Sequence, residues 1–323
     1  MDRMFAADKP VAVCLLGPTA AGKTALAMQL VQRFPFEIIS VDSAMVYRHM
    51  NIGTGKPEPA ALSVAPHRLI DIRDPWQSYS AGQFCIDARD AIAEICRAGR
   101  VPLLVGGTLL YFRALQSGLA PLPEADPVLR EQLDARGADE GWPALHAELA
   151  RIDPAAGARI GPNDRQRIQR ALEVFMLTGE PISELQRTGS SEQATDFLGI
   201  ALIPAGRAEL YQRIEARFGH MLEAGFLQEV ERLRHMPDLR ADATAMRAVG
   251  YRQLWAYLEG EVSLAEAQQR AIIATRRLAK RQLSWMRSAA EQFQFDCLAP
   301  NVIDQVASTL RAQLPKISNS HVP

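Results

Sequence analysis

Gly17-Pro18-Thr19-Ala20-Ala21-Gly22-Lys23-Thr24 sets the architecture of this chain. It is the P-loop pattern, G-x-x-x-x-G-K-[ST], complete at every fixed position. Its flanks agree. Before it, Val11–Leu16 is an unbroken apolar run, as in a strand buried on both faces of a parallel sheet. After it, residues 24–34 carry apolar side chains at helical spacing. In such a strand-loop-helix corner the loop amides converge on an anion, and the helix points its positive end at the same place. Lys23 adds a charge for the terminal phosphate, and the Thr24 hydroxyl is placed to ligate Mg²⁺. The motif fixes neither the phosphate compound nor whether a phosphoryl group moves.

The rest of the first third repeats the strand-helix alternation. Residues 37–41, 68–72 and 101–105 read as strands, and residues 81–98 as a helix closed by Gly99. This predicts an α/β fold with a parallel sheet. From about Ser117 the pattern becomes purely helical. Asp126-Pro127 suits an N-cap and first turn, and Asn163 opens a helix that stops at Gly179 before Pro181. Residues 197–203 return to a strand, and residues 207–287 are helical with breaks near Gly225, Pro237 and Gly260. The expected organisation is therefore a core, residues 1–117, a helical insertion, 118–196, a second core segment with basic helices, 197–315, and a tail, 316–323.

Asp42 falls at the carboxyl end of the second strand, on the edge where ligands of open parallel sheets gather. A carboxylate there accepts a proton from a nucleophile, holds Mg²⁺ through water, or caps the next turn through Ser43 and Ala44. Gly106-Gly107-Thr108, after another strand, permits close approach of a backbone or ligand, or is plain turn chemistry.

Composition is that of an ordinary globular enzyme. The 323 residues are 48% hydrophobic and 23% charged, with net charge -1, so no global field marks a nucleic-acid partner. Two local segments do. Arg270, Arg276, Arg277, Lys280, Arg281 and Arg287 lie in one helix without an acid among them, and Arg165, Arg167 and Arg170 repeat the theme in the insertion. Either is also consistent with a solvated face. Cys14, Cys85, Cys96 and Cys297 show no paired spacing and read as buried thiols in a reducing compartment. No apolar stretch is long enough to span a bilayer, and a cytoplasmic monomer is expected.

A set of ordered motifs now resembles one family. The P-loop is followed by Asp42-Ser43-Ala44-Met45-Val46-Tyr47-Arg48, Ile52-Gly53-Thr54-Gly55-Lys56-Pro57, His67-Arg68-Leu69-Ile70-Asp71 and Val105-Gly106-Gly107-Thr108. Further on stand Asn163-Asp164-Arg165-Gln166-Arg167-Ile168-Gln169-Arg170-Ala171-Leu172-Glu173, Val249-Gly250-Tyr251-Arg252 and Thr275-Arg276-Arg277-Leu278-Ala279-Lys280-Arg281-Gln282. Together they are similar to the bacterial tRNA dimethylallyltransferases over about residues 11–287.

The resemblance implies a P-loop-kinase-like core that holds the pyrophosphate of dimethylallyl pyrophosphate, with Mg²⁺, instead of transferring phosphate. Gly17 to Thr24 would form the cradle and Arg217 a further clamp, although Arg217 by itself reads as one charge on a solvated helix beside Arg207, Arg213 and Glu215. Asp42 would be the general base toward the exocyclic amine of the adenosine 3′ of the anticodon. The anticodon stem-loop is implied to meet Asp42, Ser43, Ala44, Met45, Thr108 and Arg130. It is also implied to meet Gln166, Arg167, Ile168, Gln169 and Arg170 of the insertion, then Arg247, Ala248, Val249, Gly250, Tyr251 and Arg252. Arg277, Lys280, Arg281 and Arg287 complete the set. Tyr251 and Trp285 are candidates to stack on bases, with core packing as the default for each. Met45 departs from the glutamine common in the family. A small-molecule kinase, a prenyltransferase acting on free nucleotides and a nucleotide switch share the cradle. The first lacks a reason for the large insertion and long basic helix, the second for the RNA-facing segments, and the third needs a γ-phosphate sensor that the sequence does not present.

Overall fold

Among the described residues six strands, β1 Val11–Leu16, β2 Phe36–Val41, β3 His67–Arg68, β4 Val101–Gly106, β5 Asp196–Leu202 and β6 Gln292–Phe295, form one parallel sheet in the order β3-β2-β4-β1-β5-β6. The computed structural model describes residues 9–187, 195–288 and 292–314. β2 is buried at all six positions and β1 at five of six, as strands covered on both faces require. Their side chains pack with Leu26, Ala27 and Leu30 of the helix Lys23–Val31 and with Val306 and Leu310 of the helix Val302–Gln313.

Register positions the functional residues. Leu16 pairs with Gly106 and Ala201, and Val41 pairs with Gly106. The strand ends are therefore level, and the residues that follow, Gly17, Asp42 and Gly107, emerge together on the carboxyl edge of the sheet.

The sheet differs from the sequence expectation at its margins. The strand expected over residues 68–72 stops at Arg68, because Leu69 (φ 62°) and Asp71 (φ 56°) turn left-handed and leave the pleat. Residues 71–73 instead bind the loop after β2, with Asp71 N–H donating to Met45 O at 3.2 Å and Ile72 N–H to Val46 O at 3.0 Å. β6 was not expected; it is a four-residue edge strand running parallel to β5.

The chain divides into two compact units, one made of Met1–Arg113 with Ala194–Pro323, the other of Ala114–Gln193. The second is all helical among its described residues. Leu133, Leu145, Leu149, Ile168 and Leu172 form its core. Asp126 caps the helix Pro127–Asp139 by accepting from Val128 N–H and Leu129 N–H. The helix Arg165–Thr178 is capped by Asp164 rather than Asn163 and ends at left-handed Gly179.

Candidate active site

The P-loop leaves β1 and curls through two left-handed residues, Ala20 (φ 65°) and Gly22 (φ 81°), before the helix Lys23–Val31 begins. Such turns aim successive N–H groups at one point. A left-handed Ala costs about 1 kcal/mol or more, the kind of strain kept where a loop must hold a functional shape. Lys23 Nζ folds back on the loop, donating to Gly17 O at 3.0 Å and Pro18 O at 2.8 Å. Burial pulls its pKa down to about 8, opposed by the negative charge of Asp42 and aided by the positive charge of Arg217. A buried ammonium held in this way gains strongly from an arriving anion, which restores its preference for the charged form. The Thr24 hydroxyl, in the first turn of the helix, makes no hydrogen bond to a described residue.

Asp42 uses its two oxygens differently. Oδ1 accepts from Ala44 N–H at 2.8 Å and Met45 N–H at 3.2 Å, which makes the turn-capping reading correct for that oxygen. Oδ2 has no hydrogen bond among the described residues. Ser43 N–H donates to Thr108 Oγ1 at 3.1 Å, which ties the Asp42 loop to the turn after β4. Met45 turns its thioether toward the Ser40 hydroxyl, at 3.9 Å.

Arg217 is not part of a solvated face. It projects inward from the helix Arg207–Glu223, whereas Arg213 is exposed and pairs with Glu209. Its guanidinium reaches the Thr54 carbonyl at 3.5 Å, and burial lowers its pKa against the opposing charge of Asp42. Gly55 makes room for it: at φ 66°, a Cβ there would lie 1.9 Å from Arg217 Nη2. Glycine at this position is therefore a requirement of the arginine's approach, a weight the sequence did not signal.

Two polar anchors without a local sequence signal hold the surrounding loop. Glu229, 2% exposed, accepts from the N–H groups of Asn51, Ile52 and Gly53 at 2.9, 2.8 and 3.2 Å. Lys56 donates to Tyr47 O, Asn51 Oδ1 and Asp71 Oδ1. A lone Glu on a helix gives no sequence signal of such a partner. The fixed loop is what presents Thr54 and Gly55 to Arg217.

Several residues expected to face RNA are committed elsewhere. Tyr251 is 0% exposed, donates its hydroxyl to Glu229 Oε1 at 2.6 Å and packs edge-on against Phe226, so it cannot stack on a base. Gly250 beside it is buried, while Arg247 and Arg252 are exposed and Ala248 and Val249 half-buried. In the helical unit Ile168 is 0% exposed and belongs to the core. Arg130 and Arg170 both bind Glu173, itself 0% exposed, at 2.8 and 2.7 Å. Burial alone would raise the Glu173 carboxyl, but the hydrogen bonds from Arg130, Arg170 and Asp126 N–H outweigh it and hold the pKa below its ordinary value. Gln169 bonds Asp134 Oδ1 and Arg130 O. Of that segment, Gln166 and Arg167 remain exposed, Arg167 with a loose 3.5 Å pair to Asp164.

The long helix Leu264–Ser288 divides its charges. Arg270 pairs with Glu266 and Arg276 with Glu215. Arg277, Lys280 and Arg281 are exposed, have no ion pair among the described residues and line an open groove of about 600 Å³ with Ser284 and Trp285. Arg287 is likewise exposed. No described helix is long and apolar enough to cross a membrane.

The pattern described as IPP transferase matches residues 45–289, and that described as isopentenyl transferase matches residues 11–74, the P-loop included. The chain belongs to the IPP transferase family. Its relatives include a tRNA dimethylallyltransferase of Ralstonia nicotianae, 54% identical over 94% of this chain and 97% of its own length. Another, from Thioalkalivibrio sulfidiphilus, is 56% identical over 94% of this chain and 95% of its own length. Among solved structures, the full-length tRNA isopentenylpyrophosphate transferase of Bacillus halodurans aligns with TM-score 0.68 and 37% identity, covering 96% of this chain and 98% of that one. A eukaryotic dimethylallyltransferase captured acting on tRNA aligns with TM-score 0.77 and 25% identity, covering 97% and 82%. The family is one of prenyl-transferring enzymes, and the α/β core with its parallel sheet is the family fold.

Proposed function

We propose that this chain transfers the dimethylallyl group of dimethylallyl pyrophosphate to the exocyclic N6 amine of the adenosine 3′-adjacent to the anticodon of tRNA. The products are N6-dimethylallyladenosine and pyrophosphate. The observation that carries the reading is the grouping of a P-loop, an inward arginine and a carboxylate with one free oxygen around one sheet edge. It occurs in a chain more than half identical, over nearly its full length, to tRNA dimethylallyltransferases.

The adenine amine is a weak nucleophile, because its lone pair is delocalised into the ring. As N6 bonds the allylic carbon, the carbon–oxygen bond to pyrophosphate breaks and the electron pair leaves with the pyrophosphate. Asp42 Oδ2 accepts the proton that N6 loses, a contribution of about 10²–10⁴-fold in general. Lys23, Arg217 and the P-loop amides stabilise the charge that grows on the leaving group. One donor fits Mg²⁺: the Thr24 hydroxyl in the first turn of the P-loop helix, which makes no hydrogen bond to a described residue. Mg²⁺ commonly takes few protein oxygens and completes its shell with phosphate and water. When bound it would supply further neutralisation of the departing pyrophosphate.

The acceptor base must leave its stack to reach the donor, at a cost of a few kcal/mol, which phosphate contacts elsewhere offset. Arg277, Lys280, Arg281 and Arg287 are the best-placed side chains for that contact, joined by Arg247 and Arg252 and, in the helical unit, by Gln166 and Arg167. Transfer of label from dimethylallyl pyrophosphate to unmodified tRNA with Mg²⁺, run beside ATP and free AMP controls, tests the reading. Label in tRNA without ATP is expected. Label on AMP alone, or ATP turnover with no prenyl transfer, would refute it.

A further inference from the structure

The helix that carries Arg277, Lys280 and Arg281 outward turns the next residue inward. Gln282 is 6% exposed, and its amide is engaged at both ends. Oε1 accepts from Thr19 N–H at 3.0 Å, and Nε2 donates to Gly107 O at 2.8 Å. Thr19 lies in the P-loop and Gly107 in the turn after β4, so one side chain joins two loops remote in sequence. Gly107 is shaped to this contact, since a Cβ there would lie 2.6 Å from Gln282 Nε2.

The connection continues. Thr108, beside Gly107, donates its N–H to Val41 O at 3.3 Å and accepts from Ser43 N–H at 3.1 Å. Val41 and Ser43 flank Asp42. A chain of hydrogen bonds therefore runs from the donor cradle through Gln282 and Thr108 to the loop that bears the proton acceptor. A neutral amide satisfies its middle link at any pH, with an acceptor toward Thr19 and a donor toward Gly107. A carboxylate would set an acceptor against the Gly107 carbonyl, and an apolar side chain would take the partner from a half-buried N–H and a half-buried C=O.

We propose that Gln282 is a positioning residue for prenyl transfer, fixing the pyrophosphate cradle against the loop that carries Asp42. The proposal rests on the prenyl-transfer reading of the site. It places a donor-side role on a helix whose exposed face is basic and otherwise looks dedicated to RNA.

The test compares Gln282→Met, close in volume but apolar, with Gln282→Glu, which keeps the acceptor toward Thr19. The readouts are single-turnover prenyl transfer at saturating tRNA, the KM for dimethylallyl pyrophosphate, affinity for inorganic pyrophosphate by calorimetry, affinity for tRNA, and thermal midpoint. Gln282→Met is expected to lower the transfer rate on the order of 10- to 100-fold, as misplacement of reacting groups does. It should also weaken inorganic pyrophosphate, with tRNA affinity within about twofold and its salt dependence unchanged. Gln282→Glu should be impaired at pH 8 and regain donor affinity as the pH falls toward 5.5, because a protonated carboxyl again donates to Gly107 O. That pH-dependent rescue is not the mark of a packing role. Unchanged donor parameters in Gln282→Met, or a loss confined to tRNA affinity, would overturn the proposal, as would a collapse of thermal midpoint with no pH rescue in Gln282→Glu. A parent enzyme that binds inorganic pyrophosphate but transfers no prenyl group would instead refute the underlying reaction.

Discussion

Two helices look alike in sequence and differ in what their charges do. Arg165–Thr178 and Leu264–Ser288 both carry clustered arginines. In the first, nearby acids take up most of the charge: Glu173 holds Arg170, along with Arg130 of the helix Pro127–Asp139, and Asp134 holds Arg165. In the second, Arg277, Lys280 and Arg281 face an open groove without acidic partners among the described residues. Arginine count is therefore a poor guide to nucleic-acid contact. What matters is whether a carboxylate, close in the fold though remote in sequence, has already claimed the guanidinium. The buried Glu173 makes Arg130 and Arg170 a folding element, while the long helix keeps Arg277, Lys280 and Arg281 available.

The sharpest way to break this comparison is to remove the free charges. Replacing Arg277, Lys280 and Arg281 together with alanine should weaken tRNA binding by roughly a hundredfold at low salt and reduce the slope of log affinity against log salt by about 2 to 3, near one per lost phosphate contact. Filter binding across a salt series reads both. An unchanged slope would place RNA elsewhere.

The converse change is expected to act on stability. Glu173→Gln removes the charge that Arg130 and Arg170 share and should destabilise the helical unit by about 3 kcal/mol, as breaking a buried pair does. The tRNA salt slope should not change. The pH dependence has a definite sign. The folded Glu173 carboxyl lies below its ordinary value, so its stabilisation is present above the unfolded pKa of 4.5 and is lost as pH falls through the folded value. Acid unfolding of the parent below about pH 4.5 should therefore be blunted in Glu173→Gln. Urea melts at pH 7 and pH 4 would show it.

How far this was legible in the sequence follows from the same distinction. The P-loop, β1, β2, β4 and β5 were readable because their signals are local: a fixed motif, unbroken apolar runs and turn residues. β3 was overextended because the left-handed turns at Leu69 and Asp71 come from tertiary bonds to the Met45 and Val46 carbonyls, not from local preference. β6 was missed because four alternating residues at an edge carry little signal. In the site, Lys23, Thr24 and Asp42 stood out by motif and position. Arg217 was named only through the family resemblance, and Glu229 and Gln282 not at all as site residues, since each owes its place to partners 163 or more positions away or to burial no pattern announces. For Tyr251, a stacking candidate with core packing as the default, the default holds, and the bond that fixes it comes from Glu229, its neighbour only in space.

The smallest expected effect concerns that tyrosine. Tyr251→Phe removes one buried hydrogen bond and should cost about 1–2 kcal/mol of stability, leaving tRNA affinity within error. A clear loss of tRNA affinity at unchanged stability would return Tyr251 to the RNA surface.

The most direct test of the account is the single-turnover rate of Asp42→Asn with dimethylallyl pyrophosphate and saturating tRNA. Asparagine keeps the side-chain acceptor that caps the turn at Ala44 and Met45 but cannot take the proton from N6. The expected rate is lower by about 10²–10⁴-fold, with donor and tRNA affinities close to the parent's. Parent-like turnover, or a rate loss explained entirely by lost tRNA affinity, would contradict it.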